Sequence, residues 1–206
     1  MLFSREPRLH PVAIEDLRPT QMAVGMREVR EKQAHWRAQK EDKKAEFLGA
    51  HLIPVVLGPR KRPYLIDHHH LARALHEEGV IQIAVTVVID LSSLEPPAFW
   101  FYMENRALTF LYDAQGERQN HKKLPKHVSD MVDDPYRSLS GELRRAGGYA
   151  KDVTPFSEFL WSDFLRRRIK RGKAEDHPKD ALDEAIKLAK SQDAAYLPGW
   201  CGPVAG

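Results

Sequence analysis

From Tyr64 to Leu75 the chain reads Tyr-Leu-Ile-Asp-His-His-His-Leu-Ala-Arg-Ala-Leu. An apolar strand runs through a polar corner into an amphipathic helix, and this stretch constrains the rest. A helix that starts straight after a strand presents its first N–H groups, which have no intrahelical acceptor, at the corner itself. Asp67, His68, His69 and His70 add up to four oxygen or nitrogen ligands, donors or proton carriers at the same place. Such a corner suits a phosphate or a metal.

The flanking segments supply a small sheet for it. Val12–Ile14 reads as an opening strand before a turn that Pro19 helps fix, and Leu52–Leu57 and Tyr64–Ile66 read as a hairpin around the turn at Gly58–Pro63. Gly79 ends the helix that begins near His69, and Ile81–Ile89 is a β-branched strand. Between the opening strand and the hairpin, Met26–Phe47 has no proline or glycine and abounds in Glu, Lys, Arg, Gln and Ala, which predicts one long helix. The pattern changes after Asp90. A boundary near 95 divides a first domain, 1–95, from a region 96–206 that reads as mainly helical. Its expected helices are Ala98–Leu111, one after Pro125 carrying Val128, Met131 and Val132, Arg137–Ala146, Phe156–Ile169 and Ala181–Lys190. In the fourth of these, Phe156, Phe159, Leu160, Phe164 and Leu165 form the core stripe. The expected fold class is α+β, a small mixed-sheet α/β domain followed by a mainly helical half.

Charge and composition exclude several functions. No apolar run approaches the roughly 18 residues that a membrane span needs, and Met1–Pro11 lacks the apolar stretch of a secretory signal, so a cytoplasmic protein is expected. The one cysteine, Cys201, offers neither an internal disulfide nor a cysteine-based zinc site. A net charge of +3 is small, yet Arg118–Lys173 holds fourteen Lys/Arg against seven Asp/Glu. Nucleic acid therefore has a candidate surface in the second half.

Several motifs admit two readings each. Asp67 is either an N-cap or a magnesium ligand; zinc at the three histidines is a further alternative, although three adjacent residues seldom face one metal. The Gly58–Pro63 turn is a solvated hairpin tip or a phosphate contact. Arg166–Arg168 caps a helix C-terminus or forms an electrostatic patch. Asp133 and Asp134 form a turn or hold a metal, and Trp100, Phe101, Tyr102 and Trp161 fill a core or stack on bases.

The Asp67–Leu75 corner, with Leu17-Arg18-Pro19-Thr20-Gln21 before it, resembles the ParB/sulfiredoxin superfamily. Asp133-Asp134-Pro135-Tyr136-Arg137-Ser138-Leu139 and Phe156–Trp161 resemble its group called putative ParB-like nucleases. The resemblance implies a ParB/sulfiredoxin-like α/β domain that holds nucleotide phosphates at a strand, a polar corner and a helix N-terminus. The free-serine kinases of the superfamily carry Asp-Gly-His-His-Arg at this corner, then an Ala-Leu pair. Here Asp67, His69, His70, Ala74 and Leu75 match, His68 replaces the glycine and Leu71 the arginine, while Arg73 falls where the ParB box has its last arginine. His69 stands where a sulfiredoxin has its cysteine, which excludes that activity.

Gln21 stands at the position of the kinases' glutamate, and an amide cannot accept a hydroxyl proton; Glu28 is the substitute base, with Lys32 four residues on. The resemblance thus implies Asp67, His69, His70 and Glu28 as candidate catalytic groups, and His68, Arg73, Lys32 and Gln21 as ligand-binding ones. Asp67 is the metal ligand, with ATP, ADP or CTP and Mg²⁺ as cofactors. Three functions follow: phosphoryl transfer or nucleotide hydrolysis on a bound nucleotide or other small phosphate-bearing partner, metal-dependent cleavage of nucleic acid, and non-catalytic docking to DNA or protein.

Overall fold

A computed structural model of the protein describes residues 9–203, so most of the N-terminal stretch read above for a leader lies outside the described residues. The chain forms β1 (Leu9–Ala13), β2 (Arg18–Pro19), β3 (Ala23–Val24), α1 (Met26–Ala38), α2 (Glu41–Ala50), β4 (Ile53–Gly58), β5 (Arg62–Leu65), α3 (His69–Glu77), β6 (Gln82–Asp90), α4 (Pro96–Asn105), β7 (Val132–Asp133), α5 (Pro135–Arg145), α6 (Ser157–Arg166), α7 (Arg171–Asp176) and α8 (Pro178–Ala189). The fold class is α+β. It divides into two compact units. The first holds the residues up to Ala23 with Val29–Val132, and the second holds Val24–Glu28 with the residues from Asp133 on. The composition break near 95 falls inside the first unit, just before α4.

In the first unit the sheet runs β1-β6-β4-β5-β2. It is mixed: β1 lies antiparallel to β6 and β4 to β5, whereas β4 is parallel to β6 and β2 to β5. The hairpin and the helix after it thus follow the hydrophobic pattern. Val56, Phe99 and Met103 are fully buried, and Tyr64, Ile66, Ile89 and Trp100 pack against them.

The single helix expected over Met26–Phe47 is two, broken at Gln39–Lys40 without any proline or glycine. Tertiary packing overrides propensity here. The break returns Phe47 to Trp36, ring centroids 5.6 Å apart, and Phe47 stacks on His51 at 4.1 Å. The aromatic helix expected to reach Leu111 stops at Asn105. Ala107 adopts φ 49°, and Phe110 then bonds Thr20 through its N–H. Phe101 is 72% exposed rather than core. After Pro125 there is only a 3-10 turn, Val128–Asp130, because Val132 is in β7 and its N–H donates to the Met22 carbonyl.

The second unit is helical. Pro135 occupies the first position of α5 and Asp134 is its N-cap, accepting from the Tyr136 N–H at 3.0 Å. Its core packs Leu139, Leu143, Trp161, Phe164 and Leu165 with the buried alanines of α8. Trp161 joins the predicted stripe, whereas Leu160, predicted inside, is 43% exposed. α7 was not expected. Arg166, read as a helix-end cation, is in the last turn of α6 and is also inserted against the buried Asp134 carboxylate at 2.5 Å. Arg137 is also buried, 3.6 Å over the Phe159 ring and 3.8 Å from Glu158.

Candidate functional site

β2 and β5 run parallel with Arg18 beside Tyr64 and Pro19 beside Leu65. Their carboxyl ends therefore open at one place, where Thr20 and the Asp67–His70 corner follow. In α/β sheets this is the side on which ligands collect, since loops and helix N-termini converge there.

The corner is held by a hub that the sequence reading passed over. Thr20 is 2% exposed. Its hydroxyl donates to the Leu65 carbonyl at 2.6 Å and its N–H donates to His69 Nε2 at 3.3 Å. Its carbonyl accepts the Thr109 hydroxyl and the Phe110 N–H, both at 2.8 Å. Since Nε2 accepts from an amide, the ring carries its proton elsewhere. His69, 5% exposed, thus locks the start of α3 to the end of β2. The signals for this in the sequence were the pair of strand ends on either side and the resemblance that joins Leu17–Gln21 to the corner.

The histidines separate by burial. His69 and His70 are buried on the core side of α3 with Leu71, Ala72, Ala74 and Leu75, while Asp67 and His68 face outward. The N-cap position belongs to His68, not Asp67, and no side chain caps the helix. His68 lies in the left-handed region, φ 65° and ψ 25°. This is the conformation that the kinases' glycine would adopt without cost, and a side-chain residue pays about 1–2 kcal/mol for it. Asp67 accepts the His68 N–H at 2.6 Å, and its other oxygen stands 4.0 Å from His68 Nε2. A left-handed residue followed by helical ones aims successive N–H groups into one concavity, a nest for anions.

The remaining candidates are placed as follows. Arg73 turns along α3, donating to Glu77 at 2.6 Å and to the Met131 carbonyl at 2.6 Å, so its guanidinium braces the 128–131 segment. Gln21 is buried and bridges to Phe110. Lys32 is half-buried on α1 in the first unit. Glu28 belongs to the second unit, where its charge acts on Arg137 together with those of Glu158 and Asp134. Among the described residues no three His, Cys, Asp or Glu side chains gather as a metal cage. One exposed carboxylate fits a magnesium ion that takes its other ligands from water and phosphate oxygens.

Of the cations between Arg118 and Lys173, many are used internally. Arg118 pairs with Glu104, Arg144 with Glu158, Arg167 with Asp163, Arg171 with Glu175 and Lys173 with Glu184. Asp133 accepts the Met26 N–H at 2.8 Å. No helix among the described residues is long and apolar enough to cross a membrane.

Comparison with known proteins gives a family model described as "Putative ParB-like nuclease", matched by residues 10–167. No curated protein matches. The crystal structure of protein Atu1540 from Agrobacterium tumefaciens is similar throughout, with 53% identity, a TM-score of 0.91, and coverage of 97% of this chain and 99% of that one.

Proposed function

This chain belongs to the ParB-like family described as putative nucleases, and from that premise we propose that its first unit binds a phosphate group at the start of α3 and acts on a phosphoryl bond. The observation that carries this reading is His68, a side-chain residue held in a left-handed conformation at the uncapped N-terminus of a nine-residue helix. Strain kept at a corner with outward-facing polar groups supports the reading that the conformation is used there.

In this reading the first N–H groups of α3 bind phosphate oxygens, and the helix dipole favours their charge. The exposed His68 ring donates to a phosphate oxygen. His69 positions the corner through Thr20. Asp67 would hold Mg²⁺, which neutralises charge on the transferring phosphate when bound. The phosphate comes from a nucleotide, ATP, ADP or CTP, or another small phosphate-bearing molecule. Arg73, Gln21 and Lys32, the other ligand-binding candidates, belong to the same unit as the corner.

The family description favours a second reading, in which the same corner takes the phosphodiester of a nucleic acid and a water molecule is the acceptor. Product analysis separates the two. Purified protein is incubated with Mg²⁺ and each nucleotide, with water or free serine as acceptor, and in parallel with single- and double-stranded DNA and RNA across divalent metals. Released phosphate or a phosphorylated acceptor supports phosphoryl transfer, and shortened strands support cleavage. Tight nucleotide binding without product leaves a docking module, and absence of both product and binding overturns the proposal.

A further inference from the structure

Within the first unit a cavity of about 390 Å³ opens between β2, β5, α4 and the segment 121–126. Its chemistry differs from that of the histidine corner. Arg18, Arg62, Lys122 and Lys126 all line it, and among the described residues no aspartate or glutamate does. The guanidinium of Arg18 is anchored by donating to the Lys126 carbonyl, which ties the rim to β2. The acid whose charge reaches His121, Glu104, is already bridged to Arg118 at 2.6 Å.

One wall is aromatic. The Trp100 and His121 rings stack at 4.8 Å and 16°, and Tyr64 meets Trp100 edge-on at 5.5 Å. Burial lowers the His121 pKa, with Lys122 adding to the effect and Glu104 opposing it. The ring is thus biased to its neutral, stacking form.

Four cations without a counter-acid select an anion. An aromatic wall selects a planar group, because a base presents a π-face to stack upon, and the volume is that of a small-ligand site. We infer that this cavity binds one nucleotide unit, its phosphate on the Arg18, Arg62, Lys122 and Lys126 cations and its base against the Trp100–His121 wall. The unit is either a free nucleotide or one residue of a single strand. The inference shares two strands with the proposed phosphate corner but none of its candidate residues, and it stands if that corner proves idle.

The test is titration by calorimetry of the full chain and of three variants, Arg62→Ser with Lys122→Ser, Trp100→Phe and Lys43→Ser, with AMP, inorganic phosphate and a short oligothymidylate. Arg62 and Lys122 are exposed, Trp100→Phe trims the wall alone, and Lys43 is an exposed cation on α2 outside the cavity. The expected result is saturable binding of AMP or the oligonucleotide, much tighter than phosphate. Affinity falls about tenfold or more in the double variant, the loss typical of removing charged hydrogen bonds, falls less in Trp100→Phe, and is unchanged in Lys43→Ser. Binding by the oligonucleotide alone assigns a strand, and binding by AMP assigns a free nucleotide. Unchanged affinity in the double variant, phosphate binding as tightly as AMP, or no binding of either nucleotide form overturns the inference.

Discussion

At the scale of single residues the corner contains two histidines with opposite duties. His68 carries backbone strain and faces outward, so His68→Gly should stabilise the fold by up to about 1 kcal/mol, by relieving the left-handed penalty, while weakening phosphate binding. Thermal unfolding and titration of one sample check both; a variant that loses stability contradicts the strain. His69 works through Thr20. His69→Ala leaves the buried Thr20 N–H without its acceptor and should cost about 1–3 kcal/mol, measured by chemical denaturation. In the second unit, Tyr149 stacks on Trp161 at 4.4 Å, and burial pushes its pKa up to about 12. Its folded value lies above the ordinary 10.0, so the neutral phenol's contribution is complete below pH 10 and is lost as pH rises towards 12. Tyr149→Phe should flatten that alkaline decline; a decline of the same depth in both proteins contradicts it.

At the scale of elements, patterning decides most of what the sequence made legible. The hairpin, α3, β6 and most of α5 were readable because alternation, helical spacing and a glycine stop at Gly79 act locally, while the α5 start at Pro135, two residues before the expected Arg137, was read as a break. The break at Gln39–Lys40 was not, since its cause is contact between Trp36 and Phe47 rather than any breaker residue. Phe47→Ala should therefore cost about 1–2 kcal/mol, roughly half the loss for a fully buried phenylalanine, with the loss of helical circular dichroism confined to the 26–50 stretch in hydrogen exchange. Normal protection there would contradict it. The Asp67–His70 corner was visible as a motif. Its division into buried and exposed histidines was not, because a run of three residues places its members on different faces, and only the packing of α3 settles which. The cavity beside Trp100 was also hidden, being assembled from a turn, a strand end and a loop far apart in sequence.

At the scale of the whole molecule, the family match over residues 10–167 spans parts of both units, so neither unit is an addition to the family's fold. The net charge of +3 conceals a basic stretch in which at least seven of fourteen cations are held in internal ion pairs, which leaves phosphate recognition more to local geometry than to a broad electrostatic field. That is the central claim, and calorimetric titration of metal-stripped protein with ATP, ADP and CTP, with and without Mg²⁺, tests it most directly when run beside Asp67→Ala and His68→Gly. The account predicts saturable binding to at least one nucleotide, strengthened by Mg²⁺ and weakened about tenfold by either substitution, with both variants folded. Binding of equal strength in all three proteins, or no heat from any nucleotide, would contradict it.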